Sequence, residues 1–135
     1  MKTFVLDIYT PFGHYLSDRV NSLTVSSEDF TLGILPEHSP LISTVTISKV
    51  IIEKKDKKEI YATSGGVVRV EKSKVVLLLN TIESPDEIDL ERAERAKERA
   101  ENRLSDSHLE PMNVTRSQLA LARAMNRIKV KKGIE

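Results

Sequence analysis

Five arginines in the last third of the chain are the side chains best suited to bind a ligand. Arg92 and Arg99 lie seven residues apart, and Arg116, Arg123 and Arg127 follow at spacings of seven and four. On a helix these spacings place each group on one face, and the face of Arg92 and Arg99 also holds Asp89 and Ala96. Guanidinium forks on such a face can make bidentate, charge-assisted bonds to phosphate. Two such helices folded together would present arginines to one polyphosphate. Alternatively, the arginines are surface charges that pair with glutamates of the same segment.

The remaining polar residues form no recognisable catalytic or metal-binding pattern. The chain has no cysteine, and its three histidines, His14, His38 and His108, lack the spacing of metal ligands. Gly-x-Ser-x-Gly is absent, and Ser64-Gly65-Gly66 lacks the spacing of a phosphate-binding loop. We therefore expect neither a catalytic nor a metal site, and no required cofactor.

Residues 1–83 are patterned as short β-strands. Phe4, Leu6 and Ile8 alternate with residues of the opposite face, and Pro11-Phe12-Gly13 ends that strand. Further strands are predicted at 19–26, 30–35, 41–53, 59–64, 67–71 and 74–80. Eight to ten short strands with no helical period favour an antiparallel sandwich or barrel.

Residues 84–135 are patterned as two helices. Ser84 and Glu87 have the spacing of a capping box, so the first helix is predicted to begin there, and Thr115 with Gln118 offers a second box. Two apolar stripes are predicted, one of Leu90, Ala93, Ala96 or Lys97, Ala100 and Leu104, and the other of Leu121, Met125 and Ile128. Alanine buries little apolar surface, so this helical hairpin should be only marginally stable. The hairpin is either an element whose conformational equilibrium a ligand can shift or a solvated tail.

The two predicted helices carry net charges of opposite sign. Residues 84–110 carry five basic and nine acidic groups, whereas residues 111–135 carry six and one. Opposite signs favour pairing of the helices, but the basic helix is equally suited to an acidic surface elsewhere. We expect two domains, a β-sandwich at 1–83 and a helical domain at 84–135.

Composition also bears on the cellular compartment. The absence of cysteine and of an apolar segment after Met1 predicts a reducing compartment and no secretory signal. The most apolar segment, 74–80, is far shorter than the roughly 20 residues that cross a bilayer. We therefore expect no direct membrane insertion, and membrane association only through a partner.

Three motifs resemble those of the epsilon subunit of bacterial and chloroplast F-type ATP synthase. Leu32–Leu41 resembles the family's Gly-Ile-Leu-Pro-x-His-x-Pro-Leu loop, and Ala62–Val68 its Ser-Gly-Gly strand. Ile88-Asp89-x-x-Arg92-Ala93 matches the nucleotide motif of its helical domain. Glu37 departs from the pattern, because the family often has Gly or Asn there, and this departure argues against a positive φ at that position.

The resemblance implies a ten-stranded antiparallel β-sandwich followed by an antiparallel helical hairpin. It also implies a non-catalytic subunit, peripheral on the cytoplasmic face of the bacterial membrane, whose sandwich binds the gamma subunit and the ring of c subunits. The loop residues Leu35, Pro36, Glu37 and His38 would lie at that interface. The folded hairpin would permit ATP hydrolysis, and the extended hairpin would insert among the alpha and beta subunits and block it.

The resemblance further implies that ATP is a regulatory ligand of the folded hairpin and favours the non-inhibitory state. The matching positions are Glu83, Ile88, Asp89, Arg92, Ala93, Arg99, Arg123 and Arg127. The arginines would hold phosphates, and Glu83 with the turn from Ile88 to Ala93 would hold the adenine end.

A different class of function is a free nucleotide- or nucleic-acid-binding module that uses the basic helix. A net charge of only +1 and the lack of aromatic residues between the arginines argue against nucleic acid. A salt-dependent shift of labelled RNA or DNA would support that alternative.

Overall fold

The computed structural model describes residues 2–134, which form ten strands, a short 3₁₀ turn and two helices. Backbone contacts divide the chain into two compact units, one ending at Ile82 and the other beginning at Glu83. The strands are β1 (Phe4–Thr10), β2 (Gly13–Val20), β3 (Ser22–Ser26), β4 (Thr31–Ile34), β5 (Leu41–Val45), β6 (Ser48–Lys54), β7 (Lys57–Thr63), β8 (Gly66–Val70), β9 (Lys74–Leu79) and β10 (Ile82–Glu83). The predicted fold class, a ten-stranded sandwich followed by two helices, is confirmed.

Two five-stranded sheets have the orders β2-β1-β9-β8-β5 and β10-β7-β6-β3-β4. The pair β1–β9 is parallel, with Leu6 opposite Val75 and Ile8 opposite Leu77. This pair departs from the sequence-based prediction, which was an antiparallel sandwich throughout. Hairpin turns impose antiparallel pairing only on consecutive strands, and seven other strands separate β1 from β9.

The predicted alternation in β1 is confirmed, because Phe4, Leu6 and Ile8 are all buried. They join a continuous apolar core between the sheets. Its other fully buried large side chains are Val20, Leu23, Val25, Ile34, Val50, Ile52, Val68, Val75 and Leu77. Each such side chain contributes about 1.5–3 kcal/mol through its removal from water.

The strand predicted at 19–26 is in fact two strands, β2 and β3, that meet at Asn21. The Asn21 side chain donates to the Lys2 carbonyl at 3.2 Å and accepts from the Lys55 amide at 2.9 Å. Most of β2 is exposed or half-buried, because it lies at the edge of its sheet. It therefore lacks the apolar alternation that would have revealed it.

The glycines of the Ser-Gly-Gly motif allow neighbouring backbone segments of the sandwich to lie very close to them. A Cβ built on Gly66 would lie 2.0 Å from the Leu78 carbonyl oxygen, and one on Gly65 would lie 2.7 Å from that of Val45. No side chain fits at Gly66 unless β9 moves.

Glu37 has φ = 68°, contrary to the sequence-based argument against a positive φ there. The His38 amide donates to the Leu35 carbonyl at 3.2 Å, with Pro36 and Glu37 between them. This is the arrangement of a type II turn, which places proline second and requires positive φ at the third residue. A glutamate thus holds a left-handed backbone conformation that glycine or asparagine adopts at lower cost.

The helices are α1 (Leu90–Leu104) and α2 (Pro111–Lys132), and the 3₁₀ turn spans Pro85–Glu87. The predicted capping box of Ser84 and Glu87 is present, with Pro85 at the first helical position, but α1 begins only at Leu90, and the second predicted start was wrong. The capping-box geometry at Ser84 opens only the turn, and α2 begins at Pro111, so Thr115 lies inside the helix, where its hydroxyl donates to the Pro111 carbonyl at 3.4 Å. Proline suits the first helical position because no intrahelical donor is needed there.

Small residues form the seam between α1 and α2. Ala93 and Ala100 of α1 are buried, as predicted, but the buried residues of α2 are Ser117, Ala124 and Val130. Met125, predicted for the seam, is 39% exposed. All but one of these buried residues are alanine or serine, which bury little apolar area, and the marginal stability of the hairpin stays a prediction.

Candidate functional site

The segment before α1 is held by carboxylates that satisfy free backbone donors. The Glu87 carboxylate accepts from the Ser84 amide at 2.8 Å, closing the 3₁₀ turn. Asp89 is the N-cap of α1, and its carboxylate accepts from the Arg92 amide at 3.1 Å. The first amides of a helix otherwise lack partners, so these bonds fix where α1 begins.

A cavity of about 330 Å³ lies within the second unit, beside the start of α1. This volume is at the lower end of the range for small-molecule sites. Its walls are formed by Glu83, Glu87, Asp89, Arg92, Ala93, Ala96, Arg99 and Arg127. The two alanines keep the wall of α1 open between the charged side chains.

The charges around the cavity are unevenly satisfied. Each of its three carboxylates already accepts a hydrogen bond from within the unit, Glu83 from Arg127 and the other two from backbone amides. Arg92 and Arg99 are exposed, and across residues 2–134 neither guanidinium has a hydrogen-bond or ion-pair partner. The cavity therefore offers unpaired cationic donors, which suit a phosphoryl group.

Arg127 joins α2 to the cavity. Its Nε donates to Glu83 Oε1 at 2.6 Å, and the two side chains are 35% and 27% exposed. Four residues later, Lys131 Nζ donates to the Pro85 carbonyl at 2.8 Å. Lys132 Nζ lies 3.8 Å from Glu94 of α1. Three of the basic side chains of α2 thus have partners within the hairpin, which was one of the two alternatives that the charge of this helix left open.

Six of the eight positions matched to ATP binding line this cavity. The two that do not are Ile88, whose side chain is 4% exposed, and Arg123, which is half-buried. Glu87 and Ala96 line the cavity although they were not on the list. Sequence spacing does place Ala96 on the helix face of Arg92 and Arg99, whereas it gives no signal for Glu87.

The loop predicted to contact partner subunits lies in the first unit. Leu35 is 63% exposed, Pro36 and His38 are half-buried, and Glu37 forms an exposed ion pair with Lys2 at 3.1 Å. His38 Nδ1 lies 2.7 Å from the Ser39 carbonyl oxygen. The loop is thus a rigid turn that presents one exposed leucine.

Between residues 2 and 134 no group of three or more metal-ligating side chains is suitably placed for an ion. No described helix has the length and apolarity to span a bilayer.

Family comparisons cover nearly the whole chain. Residues 3–85 match the beta-sandwich domain of the ATP synthase delta/epsilon chain, and residues 86–132 match its long alpha-helix domain. The chain therefore belongs to the delta/epsilon family of ATP synthase subunits. Within that family it groups with the epsilon chains, the non-catalytic central-stalk subunits of F-type ATP synthase, as the sequence predicted.

Individual relatives support this grouping. The ATP synthase epsilon chain of Desulforamulus reducens is 41% identical over 128 residues, covering 95% of this chain and 96% of the relative. That of Halalkalibacterium halodurans is 38% identical over 130 residues, covering 96% and 98%. A chain of the Euglena gracilis mitochondrial ATP synthase, solved with OSCP, F1 and c-ring, shares the fold with a TM-score of 0.81 at 20% identity, covering 92% of this chain and 78% of that one.

Proposed function

We propose that the cavity beside α1 binds ATP and that the bound nucleotide holds the hairpin in its folded, non-inhibitory form. The observation that carries this proposal is a pair of guanidinium groups, Arg92 and Arg99, which have no partner among residues 2–134 and lie on one cavity wall with Arg127 on another. A triphosphate would supply the missing acceptors. Arg123 would join the phosphate ligands by a change of rotamer, and the adenine would lie toward Glu83 and Ile88.

Regulation follows from the thin seam between the helices. Because α1 and α2 bury mainly alanine and serine, we expect the free-energy difference between the folded and the extended hairpin to be small. A ligand that binds only the folded hairpin can therefore shift the balance between the two forms. At 100 times its dissociation constant such a ligand stabilises the folded form by about 2.7 kcal/mol. Without ATP, the hairpin extends among the alpha and beta subunits and inhibits ATP hydrolysis, its basic α2 facing an acidic surface.

The sandwich is proposed to attach this arm to the rotor. Its partners are the gamma subunit and the c-ring, contacted through the loop Leu35–His38, with the complex on the cytoplasmic face of the bacterial membrane. In support, the structurally similar Tetrahymena thermophila chain belongs to a central stalk and c-ring assembly, with a TM-score of 0.63 at 12% identity and coverage of 96% and 97%. Ion flow through the ring would then drive rotation of the subunit.

Calorimetric titration of the full chain with ATP tests the site. We expect Arg92→Ala and Arg99→Ala each to weaken binding by roughly tenfold or more, the loss of a charge-assisted contact. Arg95→Ala is the matched control, because Arg95 is on α1 outside the cavity and lies 3.8 Å from Glu91. Equal affinities of all three variants and the unaltered chain would remove these arginines from the site.

The inhibitory role is tested in the assembled complex. A chain that lacks residues 84–135 should still assemble, and the ATPase activity of the complex should rise. Unchanged activity would contradict an inhibitory arm.

A further inference from the structure

The last turn of α2 is locked in place just beyond its basic residues. The Ile134 amide donates to the Lys129 carbonyl at 2.9 Å and the Gly133 amide to that of Val130 at 3.2 Å. Gly133 has φ = 70°, so the helix ends in a Schellman motif. This cap holds the backbone around Lys131 and limits where its side chain reaches.

Lys131 contacts a backbone atom next to the cavity without lining the cavity itself. Its Nζ donates to the Pro85 carbonyl at 2.8 Å, and the same oxygen accepts from the Ile88 amide at 3.3 Å. Pro85 lies between Glu83 and Glu87, which both line the cavity. Arg127 contacts the segment before α1 at Glu83, and Lys131 contacts the same segment two residues later, at Pro85.

We propose that Lys131 is a positioning residue for the nucleotide cavity. It acts through Pro85, keeping the 3₁₀ turn against α2 so that Glu87 stays at the cavity wall and Glu83 stays in reach of Arg127. This inference rests on the proposed binding of ATP. It predicts that ATP affinity depends on a lysine that does not touch the ligand.

A simpler role for Lys131 is a general one, since cations in the last turn of a helix interact favourably with its dipole. Lys129 shares that role. It lies in the same last turn, is exposed, and has no side-chain partner in the part of the chain that the structure describes. Comparison of the two lysines separates a specific contact from the charge effect.

The test compares Lys131→Met, Lys131→Arg and Lys129→Met in the full chain. Calorimetric titration with ATP should show roughly five- to tenfold weaker binding for Lys131→Met, the size expected for the loss of one hydrogen bond of ordinary net strength. Lys129→Met should bind like the unaltered chain, and Lys131→Arg should recover most of the affinity. Equal affinities of the two methionine variants would overturn the proposal.

Amide hydrogen exchange of the ligand-free chain is a second readout that does not depend on ATP. Lys131→Met should speed exchange at Glu87 and Ile88, the amides that close the 3₁₀ turn, while the sandwich amides stay unchanged. Exchange identical to that of Lys129→Met would show that Lys131 does not hold the turn. Absence of ATP binding in the unaltered chain would instead refute the proposed function, and the exchange result would still decide whether Lys131 holds the turn.

Discussion

Arg127 Nε and Glu83 Oε1 lie 2.6 Å apart although 44 positions separate the two residues in the sequence. The pair joins the next-to-last turn of α2 to the segment before α1. Both side chains are about two-thirds buried, so solvent screens their attraction less than on the open surface. This contact links the closure of the cavity to the folding of the hairpin.

Glu83→Gln should therefore loosen the hairpin. Loss of the charge-assisted bond should lower the free energy of opening by about 1 kcal/mol, because the amide accepts a weaker hydrogen bond. Exchange rates of the α2 amides in the ligand-free chain measure this directly.

The control for that substitution is Glu91→Gln. Glu91 is 88% exposed and its nearest cation, Arg95 Nη1, is 3.8 Å away, so this change should alter α2 exchange little. Equal effects of the two substitutions would mean that the contact of Glu83 with Arg127 contributes nothing specific.

Gly66→Ala should destabilise the sandwich severely. The added methyl group would lie 2.0 Å from the Leu78 carbonyl oxygen and 2.8 Å from the Leu79 Cα, both backbone atoms that cannot rotate away. We expect a loss of about 3 kcal/mol or more in denaturant unfolding. At Gly33 an added Cβ meets nothing within 4 Å, so Gly33→Ala should cost far less, and similar losses would contradict this account.

Glu37→Asn should stabilise the sandwich by about 0.5–1 kcal/mol, because asparagine tolerates the left-handed backbone better than glutamate does. Glu37 also pairs with Lys2, but that pair is some three-quarters exposed and contributes little. Lys2→Ala measures the loss of the pair alone. A denaturation midpoint of Glu37→Asn at or below that of Lys2→Ala would argue against strain in this turn.

Lys54 should shape the pH dependence of sandwich stability at both extremes. Its hydrogen bond lowers the pKa of Asp18 below the ordinary value, with help from the Arg19 amide, and bonds to Asp18 and Glu59 raise the pKa of Lys54. The Asp18 contribution is complete above its unfolded pKa and is lost as pH falls through the lower folded value. The Lys54 contribution is complete below its unfolded pKa and is lost as pH rises through the raised folded value.

Lys54→Met should accordingly flatten both ends of the stability curve measured by chemical denaturation across pH. Lys57→Met provides the control, since Lys57 is exposed opposite Lys54 in the same hairpin. A curve for Lys54→Met that runs parallel to that of the unaltered chain would show that these shifts do not affect folding.

Strands with one buried face were predictable from the sequence, as Phe4, Leu6 and Ile8 show. The edge strand β2 was only partly predictable, because the polar Asp18 takes an inward position between Leu16 and Val20 and weakens the alternation on which that prediction depends. Helix starts failed for a different reason. Ser84 and Asp89 are both good N-caps, and only the geometry reveals that the chain makes a 3₁₀ turn between them before α1 begins.

Much of the cavity was foreseeable. Spacing alone placed Asp89, Arg92, Ala96 and Arg99 on one helix face, and the structure puts all four at the cavity wall. The contribution of Glu83 and Arg127 depends on how α2 returns along α1, which spacing within one helix cannot define. The contact from Lys131 to Pro85 has no sequence signal, because its acceptor is a backbone carbonyl.

The central claim is that nucleotide controls the closing of the hairpin. Hydrogen exchange of the full chain with and without saturating ATP tests it most directly, because it reports on α2 and on the sandwich in one experiment. We predict that ATP slows exchange along α2 at least tenfold and leaves the core strands β1, β8 and β9 unchanged. Identical exchange of α2 in both conditions would contradict the claim.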